Sequence, residues 1–500
     1  MAYCSRRTLL KVAGAVPFTP WLAPPARAQD SQPRVRYDAR SPRGVEMLQI
    51  YAAAVGKMKD PNQIPPGDPR SWLFQWYTHF VNDETTKAAE IARIYTNPND
   101  PNRSAAVAMW NTCQAHSPGQ VENYFLPWHR CFVYYFEQII AAVSGRPDFT
   151  LPYWNYSTSD PTIRGVIPPQ FRMQNDPAFG PLFDGLRNSG VNQGRPIQRG
   201  QAGNPLSLDS LSQATYGSSG ARPGFNMALD RGLHGNVHVL VGGPRNMGNV
   251  PTAGRDPIFW MHHCNIDRLW ASWNAAGHVN PSLSQTFTFA GGDGKAIVVN
   301  IANFLDIASL GYTYDRFEPV PGGVPRPILA TALLQGERLA AMAGSKNMAL
   351  GASPTRVLLE PPQPAAPANA AASVRDQVMG LTPGRRVFLV ARDLRAATQP
   401  GVLYNLYLDL PENPTAQQLA DHFVGTINFF AAHHGAGMAH DAAPEPEGED
   451  KFLSFDVTSK IRALGRNRVL GEKPVLTVIP QGQPAEGAQP VLGQVDLVLE

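Results

Sequence analysis

The stretch Asp256-Pro257-Ile258-Phe259-Trp260-Met261-His262-His263-Cys264-Asn265-Ile266-Asp267-Arg268-Leu269-Trp270 decides how this chain is read. Paired histidines stand in an apolar, aromatic setting, with an acid and a base one turn further on. With a helical period, His263, Ile266, Asp267 and Trp270 share one face. Asp256 and Pro257 suit a helix start, as cap and first-turn residue. An imidazole on such a face is either a core histidine hydrogen-bonded to Asp267 or a ligand. The choice turns on other helix-borne histidines in the first half of the chain.

Working upstream, Leu229-Asp230-Arg231-Gly232-Leu233-His234-Gly235-Asn236-Val237-His238 places two histidines at i and i+4. A glycine-rich loop, 242–253, joins them to the opening stretch. The loop-like segment 150–221 has one aromatic island, Leu151-Pro152-Tyr153-Trp154-Asn155-Tyr156, and reads as a functional or packed wrap. Before it, Phe125-Leu126-Pro127-Trp128-His129-Arg130 opens a strong helix. His129, Phe132, Val133, Phe136 and Ile140 repeat at helical spacing, so His129 faces the core. That helix stops at Ser144-Gly145-Arg146-Pro147. Earlier still are His116, the aromatic run 71–80 ending in His79-Phe80, a short helix or turn over 87–95, and a helical pattern over 44–59.

Downstream the pattern changes. A Pro/Ala-rich stretch at 359–373 reads as linker. Short β-like runs follow at 386–394, 402–410, 423–430, 452–458, 475–479 and 491–499, spaced as in an antiparallel sandwich.

A chain of 500 residues is long enough for two or three domains. A formal charge of +3 gives no support to a nucleic-acid or membrane-surface role. Ser5-Arg6-Arg7-Thr8-Leu9-Leu10-Lys11, an apolar run over 12–22 and Ala26-Arg27-Ala28 line up as a twin-arginine export signal with its cleavage site. The apolar run is too short and proline-rich to span a bilayer. Cys4 leaves with that signal. Cys113, Cys131 and Cys264 are too few and too scattered for a disulfide framework.

Two histidines at i and i+4 can converge on one ion, as His234 and His238 would. His263 could add a third nitrogen, and His79, His116 and His129 could form a second set. Spacing alone leaves open whether one ion or two is held. Imidazoles with no acid or cysteine at ligand spacing favour copper, with zinc as the competitor.

The segment 125–130, with Val133 and Glu137 at their offsets, resembles the first copper signature of the tyrosinase, catechol oxidase and haemocyanin family. Asp256-Pro257-x-Phe259-Trp260-x-x-His263-x-x-x-Asp267 resembles the second. Residues 247–249 and 254–259 are similar to plant polyphenol oxidases, and Lys451-Phe452-Leu453-Ser454-Phe455-Asp456-Val457 is weakly similar to the start of their C-terminal domain. The resemblance covers residues 71–273 and implies two copper ions. His79, His116 and His129 would bind the first, and His234, His238 and His263 the second, with His262 as a neighbour. It also implies dioxygen and a phenolic small molecule as reactants: a monophenol is hydroxylated ortho to its oxygen, and an o-diphenol leaves as an o-quinone.

The chain also departs from the family. His116 and His129 enclose twelve residues where most members have eight, and the eight-residue position is Gln120. His116 is the better ligand, which implies a four-residue insertion. Cys113 stands three before His116, so a buried free thiol is favoured over the thioether found in some relatives. Val250 matches a gate position that is often phenylalanine in plants, leaving room for a phenol ring. Asp230 takes the place of a water-holding glutamate. Gly235 stands where relatives active on monophenols have asparagine, and Asn236 would point elsewhere on a helix. His433, His434, Met438 and His440 read as a polar loop, or as a weak Cu(I)-loading loop.

The expectation is a mainly α, helical-bundle dicopper domain with long loops, followed by an antiparallel β-sandwich. Its parts are a signal at 1–28, a catalytic domain at 29–330, a linker at 331–384 and the β domain at 385–500. The function expected is a tyrosinase or polyphenol oxidase; catechol oxidase and o-aminophenol oxidase share every ligand. An oxygen carrier of the haemocyanin kind fits poorly with export and a single copper module. A zinc hydrolase lacks a glutamate beside the His pairs. The β domain covers the site in plant counterparts; here both a covering and a stabilising role are open, as is the oligomeric state.

Overall fold

The computed structural model describes residues 32–113, 124–321, 340–361, 373–430, 432 and 452–500. The export signal, His116 and the cluster of His433, His434, Met438 and His440 lie outside the described residues.

The first half is built from capped helices joined by long packed loops. Strand β1 (Arg34–Arg36) precedes α1 (Pro42–Lys59), which starts where Ser41 accepts from the Gly44 N–H and Pro42 needs no partner. Ser41's counterpart in α2 (Trp72–His79) is Ser71, which accepts from the Phe74 N–H. Next come α3 (Lys87–Ile94) and α4 (Pro101–Met109), the latter unexpected although Asp100-Pro101 is a good helix start. Helix α5 (Phe125–Ser144) ends at Gly145, whose φ of 73° is the left-handed stop that glycine adopts without strain.

After the 150–221 wrap, α6 (Phe225–Ala228) runs through a π-helical turn (Leu229–His234) into α7 (Gly235–Val241). The short α8 (Val250–Ala253) leads to α9 (Ile258–Ala275). Helix α5 packs against both α1 and α9, and Phe136 stacks on Trp260. The hairpin of β2 (Thr286–Ala290) and β3 (Ala296–Asn300) follows, and β4 (Tyr312–Tyr314) pairs in parallel with β1.

The wrap is ordered by buried polar anchors. Arg187 holds Asp256 with two hydrogen bonds, of 2.8 and 2.7 Å, both side chains fully buried. The Trp154 indole donates to the Val166 carbonyl at 2.9 Å. Asp256 therefore does two jobs, since Oδ1 also accepts from the Ile258 N–H at 3.1 Å. It starts α9 from one position further out than an ordinary cap.

All six expected strands of the second half are present, as β7 to β12 below. Two more lie inside 331–384, the stretch expected as linker: β5 (Ala340–Ala349) and β6 (Thr355–Leu358). That boundary is corrected by the pairing of β5 with β12. Short apolar and small-residue runs without clear alternation gave no strand signal there. The remaining elements are α10 (Val374–Met379), β7 (Val387–Arg395), β8 (Tyr404–Leu408), α11 (Ala416–His422), β9 (Phe423–Ile427), β10 (Phe452–Asp456), α12 (Thr458–Arg466), β11 (Val475–Pro480) and β12 (Val491–Leu499).

Two four-stranded sheets result, ordered β10-β7-β12-β5 and β6-β11-β8-β9. Every pairing in them is antiparallel. Leu389, Leu492 and Val495 of the first sheet share one apolar core with Leu406, Leu408 and Leu476 of the second. This β module docks on the helical one through both apolar and polar contacts. Asn405 donates to the Ala202 carbonyl at 3.1 Å, and the Ala202 N–H donates to Gln481 at 2.9 Å.

Candidate metal centre

The site sits where α2, α5, the α6–α7 segment and α9 meet. His79 ends α2, whose position is tied to α8 by the Trp76 indole donating to the Pro251 carbonyl at 2.7 Å. His129 lies in the first turn of α5. Its Nδ1 is 2.8 Å from the Phe125 carbonyl, so Nδ1 carries the proton and Nε2 keeps its lone pair. His238 is oriented in the same way by the Met247 carbonyl, 2.8 Å from Nδ1. His234 is held by Asp230, with Nδ1 3.1 Å from the carboxylate and 3.2 Å from the backbone carbonyl. The π-helical turn carries both residues; such turns re-aim side chains out of the α-helical register.

The imidazoles converge. One ligand atom from each of His234, His238, His262 and His263 lies within 4.8 Å of the others, and so do atoms of His79, Cys113 and His129. The two sets face each other through His129 and His263, whose rings stack at 4.3 Å and 8°. His116 is outside the described residues. Cys113 is buried, with Sγ 3.6 Å from His129 Nε2.

Burial holds five of these rings, His79, His129, His238, His262 and His263, in the neutral form. Burial, then the neighbouring His234, brings His79 down to about 3. Burial, reinforced by the other imidazoles, holds His129, His238, His262 and His263 well below the usual histidine range. A neutral imidazole is the form that ligates a metal. Nε2 of His238 and both ring nitrogens of His262 and His263 are buried with no partner among the described residues. Leaving a buried polar group unpaired costs about 1–3 kcal/mol, so the nitrogens suit a ligand that is not protein. An all-nitrogen set of this kind fits copper.

The rival reading of His263, a core histidine bonded to Asp267, is excluded. Asp267 is fully engaged elsewhere. Its carboxylate accepts from Arg130, from Arg36 at 3.1 Å, and from the Tyr312 and Tyr314 hydroxyls at 2.7 and 2.6 Å. Burial alone would raise its pKa; Arg130 and Arg36 outweigh this and lower it. Arg36 also donates to Glu137 at 2.8 Å, so one buried network ties β1, α5, α9 and β4 together behind the ligands. Nothing in the proline-punctuated 29–68 segment marked Arg36 for this place.

The remaining sequence candidates lie on the elements that carry or adjoin these histidines. Val250 is buried at the start of α8. Among the described residues, Asp230 Oδ2 has no hydrogen-bond partner; it lies 3.8 Å from Arg231 Nε. Asn236 turns away from the rings, donating to the Pro205 carbonyl at 3.1 Å. Gly235 is bare for a reason that sequence could not give. A Cβ there would stand 2.5 Å from Oδ1 of Asn428, a residue of the β module. Asn428 donates to the Arg231 carbonyl at 2.8 Å and to Asn236 at 3.0 Å. Two residues on, Phe430 lies over the second set, stacked on His238 at 4.0 Å and 13° and 5.6 Å from His234. Sequence reading placed Phe430 only at the end of a β-like run.

Comparison with known proteins agrees with this geometry. The model of the common central domain of tyrosinase matches residues 69–204 and 192–276. A domain of unknown function, DUF7868, matches 335–498. A tyrosinase from Hahella is 28% identical over 486 residues, covering 90% of this chain and 96% of that protein. Chloroplastic catechol oxidase B of potato, Solanum tuberosum, is 30% identical over 244 residues, covering 41% of this chain and 40% of that protein. Among solved structures, latent apple tyrosinase aligns at 19% identity with a TM-score of 0.55, over 94% of this chain and 97% of that one. A latent aurone synthase, a polyphenol oxidase, aligns at 18% identity with a TM-score of 0.56, over 94% and 90%.

Proposed function

The chain belongs to the tyrosinase family, and from that premise we propose that this copper oxidoreductase hydroxylates monophenols at the ortho position and oxidises o-diphenols to o-quinones. The observation that carries the reading is the pair of facing imidazole sets, joined through the His129–His263 stack. His79, His116 and His129 would hold one copper, and His234, His238 and His263 the other. When bound, the pair supplies dioxygen binding and two-electron oxidation.

The protein's own residues supply the rest. The Phe125 and Met247 carbonyls and Asp230 fix the tautomers of His129, His238 and His234. The aromatic wall of Phe125, Trp128, Phe132 and Phe259 keeps water out. Val250, small and buried, leaves room for a phenol ring to approach, which supports monophenol as well as diphenol turnover. Asp230 Oδ1 lies 3.1 Å from His234 Nδ1, and Oδ2 remains to hold a water that takes the phenolic proton. Phe430 of the β module stands on the face that a phenol would use, so turnover requires that segment to withdraw.

Copper-loaded protein given a monophenol and then an o-diphenol, with oxygen uptake and quinone absorbance followed, tests the activity. Oxidation of diphenol alone would make it a catechol oxidase. Equal loss of both activities in Asp230→Ala would overturn the water-holding role, since losing the carboxylate beside His234 should affect both alike. Export by the twin-arginine route rests on the sequence of residues 5–28; a reporter fusion still exported after Arg6 and Arg7 both become lysine would overturn it. Among the described residues, no helix is long and apolar enough to cross a membrane.

A further inference from the structure

We propose that His262 is a fourth nitrogen donor at the second metal position, able to stand in for His263 there. The proposal rests on the copper-pair reading. Adjacent residues of a helix point about 100° apart, so neighbouring histidines ordinarily face different surroundings. Here the His234–His238 pair stands in the angle between them. The His262 ring is 5.3 Å from His234 and 4.7 Å from His238. The His263 ring is 5.1 and 5.6 Å from the same two. By distance, His262 is as well placed as the residue that the motif selects.

Its surroundings point the same way. His262 is fully buried, and neither ring nitrogen has a hydrogen-bond partner among the described residues. The Tyr156 ring lies 5.5 Å away and makes no hydrogen bond to its nitrogens. A merely structural buried histidine would be expected to bond a carbonyl, as His422 does with Leu408 at 2.7 Å. The two neighbours also differ in what they depend on. His263 is stacked on His129 and so is tied to α5. His262 stacks on His234 and needs only the α6–α7 segment. His234, His238 and His262 can therefore hold a metal without the first half of the site.

The test is copper stoichiometry of the full chain, titrated with Cu(I) against a colorimetric chelator. Wild type should bind two equivalents; fewer would sink the copper-pair reading itself. His79→Phe removes the first position and should leave one equivalent. Adding His263→Phe should still leave one equivalent, and adding His262→Phe to that pair should leave none. The phenylalanine at 262 keeps the stack on His234 but offers no donor, and circular dichroism reports whether each variant is folded. His263→Gln serves where the phenylalanine unsettles the fold. Loss of the remaining equivalent on changing His263 alone, in a folded protein, would overturn the proposal. So would its retention when both are changed.

Discussion

Asp267 shows how much one buried carboxylate can hold. It accepts from two arginines and two tyrosines contributed by β1, α5 and β4. Removing one partner from a buried ion pair leaves the other charge uncompensated, at a cost of about 3–5 kcal/mol. Asp267→Asn is expected to lose stability on that scale in urea denaturation, although it touches no ligand. A loss under about 1 kcal/mol would mean that Arg36 and Arg130 find other partners. At Val250 the expected effect is on selectivity. Val250→Phe should lower monophenol turnover several-fold more than diphenol turnover, because the larger ring crowds a tilted phenol at the site. Equal effects in steady-state kinetics would show that residue 250 sets no preference. The value of Val250 and Asp230 as candidates was legible from their offsets to the histidine motifs. That Asp230 bonds His234 directly was not, because the π-helical turn breaks the α-helical register on which the offset argument stands.

At the scale of elements, the telling contact is between the end of β9 and the helix that carries His234 and His238. Asn428 fills the space beside Gly235, and Phe430 stacks on His238. Ala is the better helix former by about 1 kcal/mol, so Gly235→Ala should not harm α7 itself. Its Cβ should instead push Asn428 away and loosen the β module. The expected outcome is higher diphenol oxidase activity with a lower melting temperature. Phe430→Ala should raise activity too, with little change in copper content, because it uncovers His238 without touching a ligand's hydrogen bonds. If both variants match wild type in initial rate, the β module does not cover the site. The helices over 44–59 and 125–144 were legible because their periods and stops are local: Gly145 acts on carbonyls three and four residues back. Strands β5 and β6 were not, since their short or small-residue runs lack the alternation and apolar weight of the other six.

Across the whole molecule, the buried imidazoles make folding pH-dependent. His79, His129, His238, His262 and His263 all have lowered pKa values in the folded protein. Unfolded histidine titrates near 6.5. Below that pH the unfolded chain binds protons that the folded chain does not, so stability rises with pH through this window. The contribution is complete above about pH 6.5 and is lost as pH falls. Each proton taken up on unfolding adds about 1.4 kcal/mol per pH unit. Metal-free protein should therefore denature at much lower urea concentration at about pH 5 than at about pH 8. Equal midpoints would show that these rings are not held neutral by burial. Bound copper should steepen the dependence, because a ligand that binds only the folded form and requires neutral imidazoles adds to the same linkage.

The sequence by itself determined the helices that carry the histidines, the family signatures at 125–130 and 256–267, and the strands from 386 onward. Each depends on residues within a turn or two of one another, where period, caps and turn chemistry act. Only the tertiary structure decided what those histidines touch. It freed His263 from Asp267, brought Cys113 and His262 to ligand distance, drew Arg36 into the core, and set Phe430 and Asn428 against the second half of the site. Those contacts join distant residues: Arg36 and Asp267 are 231 positions apart. No local pattern encodes such a pairing; burial selects it, because a charge or an imidazole taken out of water must find its partner wherever the packed chain offers one.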